Sequence, residues 1–313
     1  MDQWGEWLLK RRFGGDGPPP DWAAGLGQVR DRVLDGARLE ADARLLDVGA
    51  GDGLIAFGAL ERGAGEVVFS DVSKDLLEHA RGLASELGVL DRCEFVHASA
   101  DDLSTFETGS FDAVTTRSVL IYVERKREAL AEFRRVLRPG GRISLFEPIN
   151  RFGARFRVEE TFWGFTLDGL GELAGKVQAV YAGLQPDTDP MLDFDERDLL
   201  ALAQAAGFLP IELELNAQIV PRQPESWDLF VSVAGNPKIP TLDEAMNEAL
   251  SPAERERLTS RLRPLVEAGR GIGHSATAYL TGTKPPSRAA EGVTLKTAPV
   301  VSPPPEPTLA GAS

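Results

Sequence analysis

The sequence predicts an α/β protein built on a doubly wound, mostly parallel sheet, and three observations lead to this prediction. Strand patterns alternate with helical patterns over residues 41–150, and such alternation produces parallel sheets covered on both faces. The first strand pattern runs into a glycine-rich turn that opens a helix, a common connection in open α/β sheets. The chain has 313 residues, of which 42% are hydrophobic, so it can bury a sizeable core.

The elements of residues 41–150 follow from apolar periodicity. Five strands are predicted: ARLLDV, EVVFSD, RCEFVHA, FDAVTTR and RISLFEP. Between the second and third strands, SKDLLEHARGLASELG predicts a helix with Ser73 as its N-cap. Residues 124–137 predict another helix, which Arg138-Pro139-Gly140-Gly141 would terminate.

The flanking regions are less regular. Residues 1–40 predict two helices, a short amphipathic one at the start and one over 28–39. Residues 151–284 predict helical insertions at 151–192 and 221–273 and two further strands, IELELNAQIV and SATAYLTGT. A helix ending at Gly207 and two capping boxes belong to this region; the boxes pair Thr241 with Glu244 and Ser251 with Glu254. Residues 285–313 are rich in proline and small residues and are predicted to be disordered.

Composition excludes several classes of protein. Acidic residues outnumber basic ones 48 to 34, for a net charge of -14, which argues against a nucleic-acid partner. Cys93 is the one cysteine, so no internal disulfide and no multi-cysteine metal site can form, and no metal is expected. No stretch approaches the roughly 20 apolar residues that a membrane span needs. A cytoplasmic protein without membrane association is the expectation.

The glycine-rich turn, LLDVGAGDGL, is the first candidate for a binding site. Gly49, Gly51 and Gly53 lie between a strand and a helix, where glycine removes the β-carbon and lets a ligand touch the main chain. The start of the following helix offers unpaired N–H groups and partial positive charge. A carboxylate or phosphate could bind there.

An acid at the end of the next strand narrows the ligand class. Asp71 can accept hydrogen bonds from both hydroxyls of a ribose, which indicates a nucleoside. The alternative is that Asp71 merely caps the helix that starts near Ser73. The dinucleotide fingerprint GxGxxG fits imperfectly, because position 54 is leucine, so a nicotinamide or flavin dinucleotide is the weaker interpretation.

Four segments together resemble the Rossmann-like S-adenosylmethionine-dependent methyltransferases of class I. They are LLDVGAGDG, VVFSDVS, CEFVHASADDLSTFETGSFDAV and TTRSVLIYVERKREALAEFRRVLRPGGRISLFEP. The resemblance implies a seven-stranded sheet whose last strand is antiparallel and S-adenosyl-L-methionine as cofactor. The helical insertions are expected to form a cap, and the N-terminal helices of residues 1–40 are expected to cover the cofactor site.

The resemblance assigns the cofactor-binding residues one by one. Asp47 and the backbone of Gly49, Ala50 and Gly51 would hold the methionine part, with Gly53 completing the loop. Asp71 would bind the ribose, and Val72 would pack on adenine. The Ala100 N–H would meet a ring nitrogen, and Ser99 or Asp101 would take the exocyclic amine, since the family often has aspartate where Ser99 stands. Arg117 and Ser118 would lie near the methionine end.

Methyl transfer from a sulfonium is an in-line displacement that depends mainly on positioning, and a base is needed only if the acceptor must first lose a proton. Glu147, at the end of the fifth strand, is the leading base candidate. Arg117 could pair with an acid on the substrate or with a neighbouring carboxylate. His274 could reach the acceptor side or be structural, and Tyr122 is expected in the aromatic core.

The acceptor is expected to be a small, partly apolar molecule beneath a lid formed by the two insertions; an ordinary helical cap or a homodimer surface is the alternative. The sequence leaves the accepting atom open. As a hypothesis, Arg12 reaches the methionine carboxylate.

Two other classes of function stay open: a nicotinamide-dependent oxidoreductase on the same sheet, and a protein that binds S-adenosylmethionine without transferring methyl.

Overall fold

A seven-stranded sheet forms the centre of the computed structural model, which describes residues 1–13, 20–154 and 161–286. The strands are β1 (Arg44–Val48), β2 (Glu66–Asp71), β3 (Cys93–His97), β4 (Phe111–Arg117), β5 (Leu137–Pro148), the short pair β6 (Thr161–Phe162) and β7 (Phe165–Thr166), β8 (Ile211–Pro221) and β9 (Ile272–Thr283). The helices are α1 (Gln3–Glu6), α2 (Pro20–Ala37), α3 (Leu54–Glu61), α4 (Lys74–Glu86), α5 (Lys126–Val136), α6 (Asn150–Ala154), α7 (Gly171–Leu184), α8 (Glu196–Ala206), α9 (Trp227–Ser232), α10 (Leu242–Ala249) and α11 (Pro252–Glu267).

The strand order of the sheet is β3-β2-β1-β4-β5-β9-β8. Strand β1 pairs in parallel with β2 on one side and β4 on the other, whereas β9 runs antiparallel to both β5 and β8. This confirms the predicted doubly wound sheet of seven strands with an antiparallel last strand. The winding direction reverses at β1, so a crevice opens beyond the carboxyl ends of β1 and β4, where such sheets bind ligands.

Helices cover both faces of the sheet, and each face has its own apolar core. Helices α2, α3 and α4 contribute to one core, for example with Leu34, Ile55 and Leu77. Helices α5 and α8 contribute to the other with Phe133 and Leu199. All five side chains are buried, which is why the strands read as nearly continuous apolar runs in the sequence.

A third apolar core lies in the insertions. It joins β6, β7 and α7 to α9, α10 and α11, with Phe165, Val177, Phe230 and Leu258 among its buried members. The two predicted capping boxes open α10 and α11, and Gly207 follows α8 in the left-handed conformation, as predicted. The helices of this core therefore begin and end where local sequence signals place them.

Two predicted elements have different bounds. The helix predicted at 28–39 is α2, at Pro20–Ala37. Helix α5 ends at Val136, just before Arg138-Pro139-Gly140-Gly141, which confirms the predicted stop, but the following strand β5 already begins at Leu137 and includes these four residues. Leu137 already pairs with Phe111, the register shifts before Ala113, and Gly140 takes φ +85°. The glycines thus provide an irregularity inside a strand.

The disorder predicted for 285–313 falls almost entirely on residues 287–313, outside the described residues. Within the three described ranges, no helix combines the length and the apolar character needed to cross a membrane.

Candidate active site at the carboxyl ends of the strands

A cavity of about 530 Å³ opens where β1, β2, β4 and β5 end. Its walls come from the glycine loop, the ends of these strands, the N-terminal segment (residues 1–13) and the cap, by which we mean the described residues of the insertions 151–192 and 221–273. Nine of the residues that the sequence assigns to the site line it: Gly49, Gly51, Asp71, Val72, Ser99, Ala100, Asp101, Arg117 and Ser118. The remaining five assigned residues, Asp47, Ala50, Gly53, Glu147 and His274, lie outside its lining.

The glycine loop needs glycine for two physical reasons. Gly49 has φ +66°, and a β-carbon there would lie 2.3 Å from Val119 Cγ2. Gly51 has φ +57°, and its β-carbon would stand 3.2 Å from Leu8 Cδ2. Both positions therefore combine a left-handed backbone with a close approach, and Gly51 presents bare main chain to the cavity.

Three of the loop amides donate hydrogen bonds within the protein. The N–H groups of Gly49 and Ala50 both donate to the Ser70 carbonyl, at 2.7 and 3.0 Å. The Gly53 N–H donates to the Ala50 carbonyl at 2.9 Å. The first two of these hydrogen bonds tie the loop to β2, and the third lies within the loop, so these three N–H groups already have partners in the protein. The assignment of the loop backbone to the methionine part stays a prediction.

Asp71 organises the loop and faces the cavity. Its Oδ2 accepts from the Gly51 N–H at 2.9 Å, and its Oδ1 accepts from the Ser73 N–H at 2.8 Å. Burial raises the pKa of Asp71, against the opposing effect of these two amides. Each carboxylate oxygen has a further lone pair. The helix-capping alternative is therefore not the whole role, because Ser73 itself caps α4 by accepting from the Leu76 N–H.

Asp47 lies beneath the loop with an incomplete set of partners. Oδ1 accepts from the Thr115 hydroxyl at 2.9 Å, while the buried Oδ2 has no hydrogen-bond partner among the described residues. Burial raises the pKa of Asp47 to about 7 against the opposing effects of the Thr115 hydroxyl, the Arg117 charge and the Ala56 N–H. A bound cation near the loop would favour the ionised form.

The region assigned to adenine is formed by the end of β2 and the turn after β3. Val72 is 45% exposed and lines the cavity, as does Ala100. The Ser99 hydroxyl donates to Asp101, whose other oxygen accepts from Arg125 Nε at 2.8 Å. Asp101 is thus held in place by two neighbours and keeps acceptor capacity toward the cavity.

Two arginines line the cavity and form no salt bridge within the described residues, although the Asp52 charge acts on Arg12. Arg117 ends β4, and Ser118 after it takes φ +59°. Arg12 comes from the N-terminal segment, with its guanidinium carbon 5.3 Å from the centre of the Trp7 ring. Burial and the nearby Arg117 charge lower the pKa of Arg12 to about 10, which leaves it charged at neutral pH.

Glu147 does not have the geometry of a catalytic base. It is buried, and Oε1 accepts from the N–H groups of Val119 and Leu120 at 3.1 and 3.0 Å, while Oε2 accepts from that of Ile121 at 3.3 Å. Burial raises its pKa to about 7. Because the carboxylate caps the turn after β4 and stays out of the cavity lining, we interpret Glu147 as a positioning residue, which corrects the base hypothesis.

His274 lies near the start of β9, where the sequence places it. It pairs with Ile219 in the antiparallel pairing of β8 and β9, beyond the end of β5, and is absent from the cavity lining, which favours the structural alternative over contact with the acceptor. Tyr122, expected in the aromatic core, lines the cavity instead, with the Trp4 ring edge-on at 4.8 Å between centres. Burial raises the pKa of Tyr122 to about 12, so its hydroxyl is protonated at neutral pH.

Sequence reasoning missed part of the acceptor-side wall. Met191 and residues 233–235 line the cavity, yet they come from connections in the cap and carry no motif. The tryptophans of the N-terminal segment did indicate in the sequence that this segment has an apolar face. This segment is fixed at two points, by the Ser73 hydroxyl donating to Asp2 at 2.8 Å and by Trp7 Nε1 donating to the Ala234 carbonyl at 2.8 Å.

An open sheet, a bare glycine loop at its switch point and an acid after the second strand define a nucleoside-binding protein with a Rossmann-like core. Comparisons with known proteins give the family. The family model described as a methyltransferase domain matches residues 46–145. A demethylmenaquinone methyltransferase of Clavibacter sepedonicus is 45% identical over 178 residues, which cover 55% of this chain and 68% of that protein. The chain therefore belongs to the class I, Rossmann-like S-adenosylmethionine-dependent methyltransferases.

Two further similarities agree with this assignment. A ubiquinone biosynthesis O-methyltransferase of Xanthomonas oryzae pv. oryzae is 39% identical over 154 residues, covering 48% of this chain and 61% of that protein. A crystal structure of a protein from Bacillus halodurans C-125 superposes with a TM-score of 0.52 at 19% identity, covering 82% of this chain and 99% of that chain. The latter likeness shows the fold alone.

S-adenosylmethionine is the cofactor of this enzyme, and the residues present fit it. The unpartnered oxygen of Asp47 lies under the loop, where it favours a positive charge such as the methionine ammonium. A β-carbon at Gly51 would stand in the cavity wall beside Leu8, where the ligand needs bare backbone. Asp71 has acceptor capacity for ribose hydroxyls.

Proposed function

We propose that this methyltransferase acts on a small-molecule acceptor with an apolar, ring-shaped body, bound between the N-terminal segment and the cap. One observation carries the proposal: the cavity continues from the glycine loop into a region walled by Trp4, Trp7, Tyr122 and Met191. Such a wall suits a flat apolar molecule. Two similar proteins are named as a demethylmenaquinone methyltransferase and a ubiquinone biosynthesis O-methyltransferase, and these names support a small-molecule acceptor here.

When bound, S-adenosylmethionine supplies an electrophilic methyl group, which an acceptor atom takes in line while sulfur keeps the bonding electron pair. The chain's own contribution is mainly to hold the two molecules in contact and to exclude water. In this proposal Asp71 binds the ribose, Arg12 binds the methionine carboxylate, and Asp47 favours the ammonium. The protonated Tyr122 donates a hydrogen bond to the acceptor.

No histidine lies among the described residues that line the cavity, and Glu147 is held by backbone amides. The proposal therefore assigns no general base within the described residues. An acceptor whose attacking atom is already nucleophilic at neutral pH suits this arrangement. A nucleic-acid acceptor is disfavoured by the net charge of -14.

The experiment is methyl transfer from S-adenosylmethionine labelled in the methyl group to a metabolite extract that is fractionated by size and polarity. We expect label in a small, partly apolar fraction. Label in the RNA or protein fraction, with none in small molecules, would contradict the proposal. Addition of S-adenosylhomocysteine is the control, because a competitive product should suppress specific labelling.

The nicotinamide-dependent oxidoreductase that the sequence left open is not favoured by the comparisons. A parallel titration with NADH provides the direct check. Heat from S-adenosylhomocysteine without heat from NADH would agree with the present assignment.

A further inference from the structure

Two arginines of the cavity wall are candidates for binding anionic groups of ligands. Arg12 and Arg117 both line the cavity, and neither forms a salt bridge within the described part of the chain. The Asp52 charge raises the pKa of Arg12 and the Arg117 charge lowers that of Asp47, so these two carboxylates act on the arginines from beyond salt-bridge distance. Arg125, which also lines the cavity, contrasts with them because it pairs with Asp101 at 2.8 Å. Two guanidinium groups are thus available to anionic groups of ligands.

These two charges repel each other across the cavity. Arg12 is set against the rings of Trp7 and Phe13, at 5.3 and 5.1 Å from their centres, and the Arg117 charge helps lower its pKa. Like charges near each other in a partly desolvated site are unfavourable until counter-ions bind. The arrangement therefore favours occupation by anions.

The cofactor would bind only one of these two arginines. S-adenosylmethionine carries a single carboxylate, and the proposed function assigns it to Arg12. Arg117 is then the arginine left for the rest of the cavity, whose wall includes Tyr122 and the apolar side chains of Trp4 and Met191. A guanidinium binds a carboxylate with two parallel hydrogen bonds, and the neighbouring side chains suit a flat ring.

We propose that the methyl acceptor is a small aromatic acid whose carboxylate binds Arg117 and whose ring lies against Trp4 and Tyr122. The proposal rests on the proposed function, since it assumes that the cofactor occupies the glycine-loop side. It goes further by naming the chemical class of the acceptor and the residue that selects it. Arg117 would then discriminate between an acid and the neutral amide of the same shape.

The test is calorimetry on the full-length protein, first with S-adenosylhomocysteine and then, at saturation, with matched acids and amides. The probes are benzoate with benzamide, 1-naphthoate with 1-naphthamide, and indole-3-acetate with its amide. We expect an acid to bind at least about ten-fold more tightly than its amide in one or more pairs. Arg117→Gln should reduce this preference to within about two-fold.

The same series separates the two arginines. Arg117→Gln should leave affinity for S-adenosylhomocysteine within about three-fold, whereas Arg12→Gln should lower it about ten-fold. Arg11→Gln is the matched control, because Arg11 pairs with Glu244 outside the cavity lining. Should Arg117→Gln fail to fold, Arg117→Lys must weaken the acid preference while keeping cofactor affinity.

Three results would overturn the inference: no acid preference in any pair, a preference that survives in the Arg117 variants, or a loss of cofactor affinity in Arg117→Gln as large as in Arg12→Gln. A wild type that binds S-adenosylhomocysteine but shows no acid preference overturns only this inference. A wild type that does not bind S-adenosylhomocysteine overturns the proposed function as well.

Discussion

The two sides of the cavity are built in different ways. On the cofactor side, backbone constraints dominate: Gly49 and Gly51 take left-handed conformations, and Asp71 accepts from two main-chain amides. On the acceptor side, side chains from distant segments meet, with Trp7 near the start of the chain hydrogen-bonded to Ala234 in the cap. The backbone of the cofactor side therefore binds the cofactor, whereas the acceptor is selected by side chains that can be substituted without changing the backbone.

This contrast has a physical consequence for mutation. A backbone that needs positive φ and has no room for a β-carbon tolerates almost no substitution. A wall of aromatic side chains tolerates changes that preserve volume. Variants on the cofactor side should therefore affect every acceptor equally, whereas variants on the acceptor side should affect acceptors differently.

The largest effect is expected at Gly49. In Gly49→Ala the new β-carbon would lie 2.3 Å from Val119 Cγ2, and overpacking of this kind costs about 1–3 kcal/mol beyond the backbone strain. We expect affinity for S-adenosylhomocysteine to fall roughly 10- to 100-fold by calorimetry. Gly88→Ala is the matched control, because Gly88 has φ +69° and nothing within 4 Å of the added carbon. Equal loss in both variants would refute the steric explanation.

The next effect is a pH dependence of cofactor binding that originates at Asp47. Its pKa of about 7 in the free protein means that the carboxylate ionises as pH rises toward 7, and a cationic ligand favours that ionised form. Affinity for S-adenosylhomocysteine should thus rise roughly ten-fold between pH 5.5 and 7.5. Asp47→Asn should flatten this profile. An unchanged slope in the variant would show that another group is responsible.

The smallest effect on binding is expected at Glu147. Glu147→Gln loses the acceptor for the Ile121 N–H, so the free energy of unfolding should fall by about 1–3 kcal/mol while kcat changes less than about ten-fold. Because the folded pKa of Glu147 is raised to about 7, its stabilising contribution is complete below about pH 4.5 and decreases as pH rises through 7. The stability difference between wild type and variant should therefore shrink from pH 5 to pH 8. A loss of kcat above about 100-fold, with stability unchanged, would restore the base hypothesis.

Much of the cofactor side could be predicted from sequence because its signals are local. The glycine spacing, Asp71 at the end of β2 and the Ser73 cap are each defined by a few neighbouring residues. The direction of the loop amides could not be predicted, since it depends on the Ser70 carbonyl reaching Gly49 and Ala50 across neighbouring strands. The buried capping role of Glu147 was missed for the same reason: its partners belong to another connection.

The acceptor side was predictable only in outline. Trp4 and Trp7 indicated a helix with an apolar face, yet nothing local shows that Trp7 meets Ala234. Met191 and residues 233–235 reach the cavity through the packing of the cap. Such contacts join residues far apart in the chain, and periodicity does not encode them.

The most direct measurement is a calorimetric titration of S-adenosylhomocysteine into the wild type and Asp71→Asn. We expect saturable binding by the wild type and a loss of affinity of at least about ten-fold in the variant, because hydrogen bonds from ribose hydroxyls to a carboxylate contribute roughly 1.5–3 kcal/mol. Equal affinity in both proteins, or no binding by the wild type, would contradict this expectation.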